Sequence, residues 1–307
     1  MAKDIREIIK SELVSGLGNY EEFSSKYNSY VKNVNDNLVG GEMPEAHRQM
    51  FDDANGGELT DSVKPAKAKA VDSSSMLSYN FFRWIDKYPI TIGGIVYDKV
   101  LFEVKFVTLR TSKNHPSNMD VVLVSQDNRT ALCIESKFLE YLKIEKQELG
   151  KSYSDEGKYY QDNDAKRELV EIARSYKSEK GRYNYGIKQN ICHIAGISNL
   201  AMSEEAKKEF DRQNSCEAFK VLRDVNDFRF MNVIFCPKNI DGCRLYDTYT
   251  GHLEELKKQF LSKPQIAKYI TEPFVMNYRQ LFEELVKAGL DENLKNALER
   301  KYIAFHK

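Results

Sequence analysis

Between Ile95 and Lys137 the chain carries three strand patterns in close succession, and this block limits the fold more than any other stretch. A Gly-Gly turn signal in "ITIGGIVY" precedes "DKVLFEVKF", where Val100, Phe102, Val104 and Phe106 alternate onto one face. "DVVLVS" and "TALCIESKF" follow, separated by "QDNR", a turn composition. Alternation in the last run puts Cys133, Glu135 and Lys137 on one face and Leu132 and Ile134 on the other.

Helical patterns flank this block. Residues 4 to 38 read as helical, with apolar positions at helical spacing in "IREIIKSELVSGL". "NVNDNLVGGEMPE" and "DDANGGELTDSVKPAKAKA" break the pattern with Asn, Asp, Gly and Pro. "DSSSMLSYNFFRWIDKY" predicts a helix capped by Asp72 or a following serine, with Leu77, Phe81, Trp84 and Ile85 on one face. "YGIKQNICHIAGISNLAMS" predicts a buried helix and "FRFMNVIFCP" a buried strand ended by Pro237. Two or three helices close the chain. The order predicts an α/β fold with a mixed sheet flanked by helices. Its expected parts are a helical N-terminal extension over 1–70, a core over 71–250 with a polar insertion at about 143–185, and C-terminal helices over 251–307.

Composition excludes several classes. The chain has 307 residues, 41% hydrophobic and 30% charged, which is ordinary for a folded protein. No apolar run approaches the roughly 18 residues of a membrane span, and charges interrupt the first apolar stretch, "MAKDIREIIK", unlike a secretory signal. Five scattered cysteines without a CxxC pair argue against a zinc site or a disulfide framework, and fit a reducing cytoplasm. Basic and acidic residues balance at 46 each, so any basic surface must be local.

The charges in the strand block pose the functional question. Asp120 opens one apolar run, and Glu135 and Lys137 close the next. One reading is two strand ends reaching water, the usual place for charge. The other is chemistry. Hydrolysis of a phosphodiester with metal assistance needs hard oxygen ligands, positioned water and charge stabilisation. Asp120 and Glu135 on neighbouring strands supply two carboxylates, and the Ser136 backbone carbonyl a third oxygen, for one Mg²⁺ (Mn²⁺ substituting). Lys137 projects from the same face as Glu135, where it holds or helps deprotonate water and offsets phosphate charge.

Asp, then 14 residues, then Glu-Ser-Lys closing an apolar strand resembles the PD-(D/E)XK nuclease superfamily, the restriction-endonuclease-like fold. "SSSMLSYNFF", "VLFEVKF", "MDVVLVS", "ALCIESKF", "GIKQNICHIAGI" and "FRFMNVIFCP" follow in the order of its core. "GGEL" at 56–59, the "KPAK" run and "KFLEYL" add a resemblance to a bacterial group of such proteins, over about residues 50 to 250. Met119 stands where that pattern has proline. The resemblance implies a cytoplasmic bacterial enzyme, a Mg²⁺-dependent endonuclease of double-stranded DNA of the type II restriction kind. It further implies a homodimer and a cognate methyltransferase as partners, and no membrane. Rival readings are a nuclease of the same fold in repair, transposition or RNA processing, and a non-catalytic nucleic-acid-binding module.

Further residues follow from the resemblance. Glu58 matches an acidic position that supplies an extra metal ligand in many relatives, with Glu103 as the alternative; each also reads as an ordinary loop or strand acid. Gln189 matches a polar position facing substrate or water, with Asn80 as a second candidate for such a contact, and Asn80 and Ser74 match positions on the preceding helix. His193, four residues after Gln189 and so on the same helical face, reads as a hydrogen-bonded core histidine rather than a ligand. The lysines at 64–69 and the Lys- and Tyr-rich insertion read as solvated segments or as phosphate contacts.

Overall fold

Alternating and continuous apolar runs build one six-stranded sheet in the computed structural model, which describes residues 5–16, 29–54, 57–108, 116–142, 164–178, 185–202, 204–237 and 240–303. The strands are β1 (Ile90–Ile92), β2 (Ile95–Phe106), β3 (Ser117–Ser125), β4 (Thr130–Lys137), β5 (Asp227–Ile234) and β6 (Ile270–Asn277), side by side in that order. Gly93 and Gly94 turn β1 into β2, both at positive φ, where a side chain would be strained. The first four strands form an antiparallel meander, and β5 and β6 add parallel strands. Parallel neighbours need crossovers. The first crossover contains α4 (Asp164–Ser178), α5 (Tyr185–Met202) and α6 (Glu204–Gln213), and the second α7 (Ile240–Leu261) and the short α8 (Pro264–Ala267).

Helices cover both faces of the sheet. Before it come α1 (Ile5–Gly16), α2 (Glu45–Asp53) and α3 (Ser74–Phe82); after it come α9 (Tyr278–Lys287) and α10 (Glu292–Leu298). The mixed α/β arrangement therefore agrees with the sequence pattern. Every residue of β4 is buried. Successive strand residues point to opposite faces. Glu135 meets His193 of α5, while Ser136 Oγ meets Tyr278, whose ring packs on Phe81 of α3. The two helices thus lie on opposite faces at the motif strand. Gly196 lets α5 approach the sheet closely, since a Cβ there would stand 2.6 Å from Phe106 Cβ.

Some elements differ from expectation. Residues 29–33 are not helical, and Val34–Asn37 form only a 3-10 turn, because Asn and Asp side chains compete for the backbone; 17–28 lie outside the described residues. Helix α3 is capped by Ser73, which accepts from Met76 N, and it ends at Phe82, so Trp84 and Ile85 sit in the turns beyond it. Strand β6 and helix α6 have no counterpart in the sequence reading. Within the insertion, 164–178 form α4, while 143–163 and 179–184 lie outside the described residues. Among the described residues no helix is long and apolar enough to cross a membrane.

Candidate active site

The β3–β4 register pairs Val121 with Ile134, so one step further along the ladder Asp120 faces Glu135. The β2–β3 register pairs Phe102 with Val121 and Val104 with Met119, so Glu103 faces Asp120 from the other side. Three carboxylates therefore stand in a row across three adjacent strands. Glu58, on the loop before α3, extends the row by raising the Glu103 carboxyl electrostatically. Water does not explain this charge. Glu135 is 1% exposed, Lys137 4%, Glu103 7% and Glu58 8%; only Asp120 is less deeply covered. For Glu135 and Lys137 the reading as solvated strand ends is thereby excluded, while Asp120 is half-buried.

Each group has a defined electrostatic setting. The Ser136 N–H donates to Asp120 Oδ2 at 2.7 Å, across the strand pair. In an extended strand the N–H and C=O of one residue project to the same edge. The Ser136 carbonyl therefore also lies on the Asp120 side, while the Lys137 carbonyl accepts from Phe235 N on the other. Lys137 Nζ donates to Glu135 Oε1, and His193 Nε2 lies 2.5 Å from Glu135 Oε2. Burial alone would raise the Glu135 carboxyl, but Lys137 and His193 outweigh it and hold it down at about 2. Asp120 moves the other way, because burial and the neighbouring Glu135 and Glu103 carboxylates all favour its protonated form. Burial lowers Lys137, yet Glu135, Glu140 and Asp120 overcome that and keep it an ammonium.

Glu103 is the least compensated of these groups. Its φ is +54°, a left-handed backbone that non-glycine residues seldom adopt. Among the described residues no hydrogen bond or ion pair engages its carboxylate. Burial, then Glu58, push its carboxyl up to about 8. Glu58 is better provided for: Ser75 Oγ donates to Oε2 at 2.7 Å and Lys67 Nζ to Oε1 at 2.9 Å. A buried carboxyl on a strained backbone, with no bonded partner among the described residues, is costly, and such costs concentrate at functional sites.

The other expected residues separate from this set. Asn80 is fully buried and its amide is committed: Oδ1 accepts from Val39 N, and Nδ2 donates to Asn37 O and to Tyr302 Oη. That is a structural clamp between the N- and C-terminal segments, which corrects the reading of Asn80 as a substrate or water contact. Ser74 opens α3 behind the Ser73 cap. Gln189 stands one turn before His193 on α5, with Oε1 buried and unbonded. His193 is a buried histidine as expected, but its partner is Glu135, and Ser117 Oγ lies 2.7 Å from its Nδ1. No sequence spacing links Ser117, Glu135 and His193; only the fold brings them together.

The donor set fits a hard divalent cation, because every available ligand atom is a carboxylate or carbonyl oxygen. Among the described residues, no three His, Cys, Asp or Glu side chains already converge at coordinating distance. Mg²⁺ does not need a closed protein cage, since one or two carboxylates with water and substrate phosphate suffice. Comparison with known proteins yields no match to a family model, a curated protein or a solved structure.

Proposed function

We propose that the chain is a Mg²⁺-dependent endonuclease acting on DNA, of the PD-(D/E)XK type. The observation that carries this reading is the meeting of Asp120, Glu135 and Lys137 across the end of the β3–β4 pair, with Ser136 turned toward Asp120. Asp120, Glu135 and the Ser136 carbonyl would hold the metal, with Glu103 or Glu58 as the nearest further carboxylate. The metal supplies Lewis-acid activation of phosphate and water.

The chain's own groups then have separate tasks. Asp120 and Glu103 favour protonation as they stand, so taking up a cation displaces protons from them. Glu135, already ionised between Lys137 and His193, is the ready ligand. Glu135, Glu140 and Asp120 hold Lys137 as an ammonium in the chain as it stands, which suits it to act as donor to the attacking water and as counter-charge to the phosphate.

The test is cleavage of plasmid and phage DNA with Mg²⁺ by wild type, Asp120→Ala, Glu135→Ala and Lys137→Ala. Loss of at least about 100-fold in each variant supports the reading, the scale expected when a group acting in the transition state is removed. Undiminished cleavage in all three sinks it.

A further inference from the structure

Glu135 is one end of a hydrogen-bonded chain that passes through a buried histidine to Ser117 on β3. Ser117 of β3 lies 2.7 Å from His193 Nδ1, and His193 Nε2 lies 2.5 Å from Glu135 Oε2. All of it except Ser117 is deeply buried, with His193 and Glu135 each 1% exposed. The imidazole packs against Phe230, with ring centroids 5.7 Å apart.

The chemistry fixes the proton on one nitrogen. An ionised carboxylate only accepts hydrogen bonds, so Nε2 must carry a hydrogen to Glu135. Ser117 can either donate to a neutral Nδ1 or accept from a protonated one; in both cases Nε2–H remains directed at the carboxylate. The other Glu135 oxygen is taken by Lys137. Each carboxylate oxygen has two lone pairs, so these donors leave acceptor capacity for a cation while removing rotational freedom about the carboxylate.

From this geometry we infer that His193 is a positioning residue for the metal centre: it holds Glu135 Oε2 through Nε2–H, and Ser117 orients the ring. The inference rests on the metal-binding role of Glu135 proposed above. It assigns His193 a task beyond filling the core. Partners that orient a ligating group commonly alter metal affinity by 10- to 100-fold when lost. His193 bonds to Glu135 and Ser117 and is not one of the proposed ligands, so its effect on the cation would pass through Glu135.

Mn²⁺ alone, titrated into the full chain and read by the electron paramagnetic resonance of the free ion, tests this. His193→Phe keeps an aromatic ring against Phe230 and removes the donor; Mn²⁺ affinity falls about 10- to 100-fold. His193→Gln places an amide N–H at roughly the reach of Nε2 and restores most of the affinity. His193→Asn, whose amide reaches only as far as Nδ1, does not restore it. Ser117→Ala gives a smaller loss, a few-fold. A purely structural histidine predicts that Gln and Asn variants fall together with their melting temperatures, without a difference in Mn²⁺ affinity. Folded His193→Phe protein that binds Mn²⁺ as wild type overturns the positioning role alone. Wild type that takes up no Mn²⁺ overturns the metal-centre reading and this inference with it.

Discussion

Ser136 N–H donates to Asp120 Oδ2 at 2.7 Å, a bond that joins the two halves of the motif across 16 residues of chain. It also shows what Asp120 costs. One oxygen has a donor, yet burial and two neighbouring carboxylates still push the group toward protonation. Asp120→Asn keeps an oxygen for Ser136 and removes the repulsion. The variant should melt higher than wild type at pH 8 while losing Mg²⁺-dependent cleavage. Calorimetry and a nicking assay on the same preparation check both halves; a lower melting temperature contradicts the electrostatic account.

Glu103 gives a pH signature. Its carboxyl is raised to about 8 in the fold, well above its ordinary value. Between the unfolded and folded values the native state binds the extra proton, so this group's contribution to stability is lost as pH rises toward 8. The slope is at most about 1.4 kcal/mol per pH unit for one proton. Glu103→Gln should flatten that decline between pH 5 and 8 in urea denaturation, and should be the more stable protein at pH 8. Parallel curves for the two proteins would contradict the assignment.

Lys301 has the opposite sign. It is buried near the C-terminal end, where Nζ donates to Asn37 O and Oδ1, and burial lowers it to about 7. Between pH 7 and its unfolded value the unfolded chain binds more protons, so stability from this site rises with pH. Lys301→Met removes the buried ammonium, and Asn37 O keeps its bond from Asn80. Melting temperatures measured from pH 7 to 10 should rise less in the variant than in wild type, by the share of one proton.

Gly196 tests the packing that holds His193 over the sheet. A Cβ there would meet Phe106 Cβ at 2.6 Å, and neither atom can rotate away. Gly196→Ala should destabilise the fold by ~1–3 kcal/mol in urea denaturation. It should also weaken the site, because α5 must shift to relieve the clash.

The parts of this arrangement legible in sequence were those with local period. Alternation and the Gly-Gly turn located β1 to β4, and the face shared by Glu135 and Lys137 followed from the pleat alone. Strand β6 was hidden because Pro273 interrupts its run and two of its residues, Glu272 and Pro273, are exposed, which reads as loop. The last turn of the helix expected after Asp72 was lost to the turns at Arg83 to Lys87, since Trp84 and Ile85 keep an apolar spacing that a turn can also bury. Glu103 looked like an ordinary strand acid; its positive φ, and the absence of a bonded partner among the described residues, depend on tertiary packing. The Ser117–His193–Glu135 chain joins β3, α5 and β4 over separations of 76 and 58 residues, which no single-sequence pattern encodes.

The central claim is that Asp120 and Glu135 hold a divalent cation. A crystal of the full chain soaked in Mn²⁺ and measured for anomalous scattering tests it most directly. The account predicts one strong peak at about 2.2 Å from an oxygen of each carboxylate and from the Ser136 carbonyl. Ordered Asp120 and Glu135 with no peak between them would contradict it.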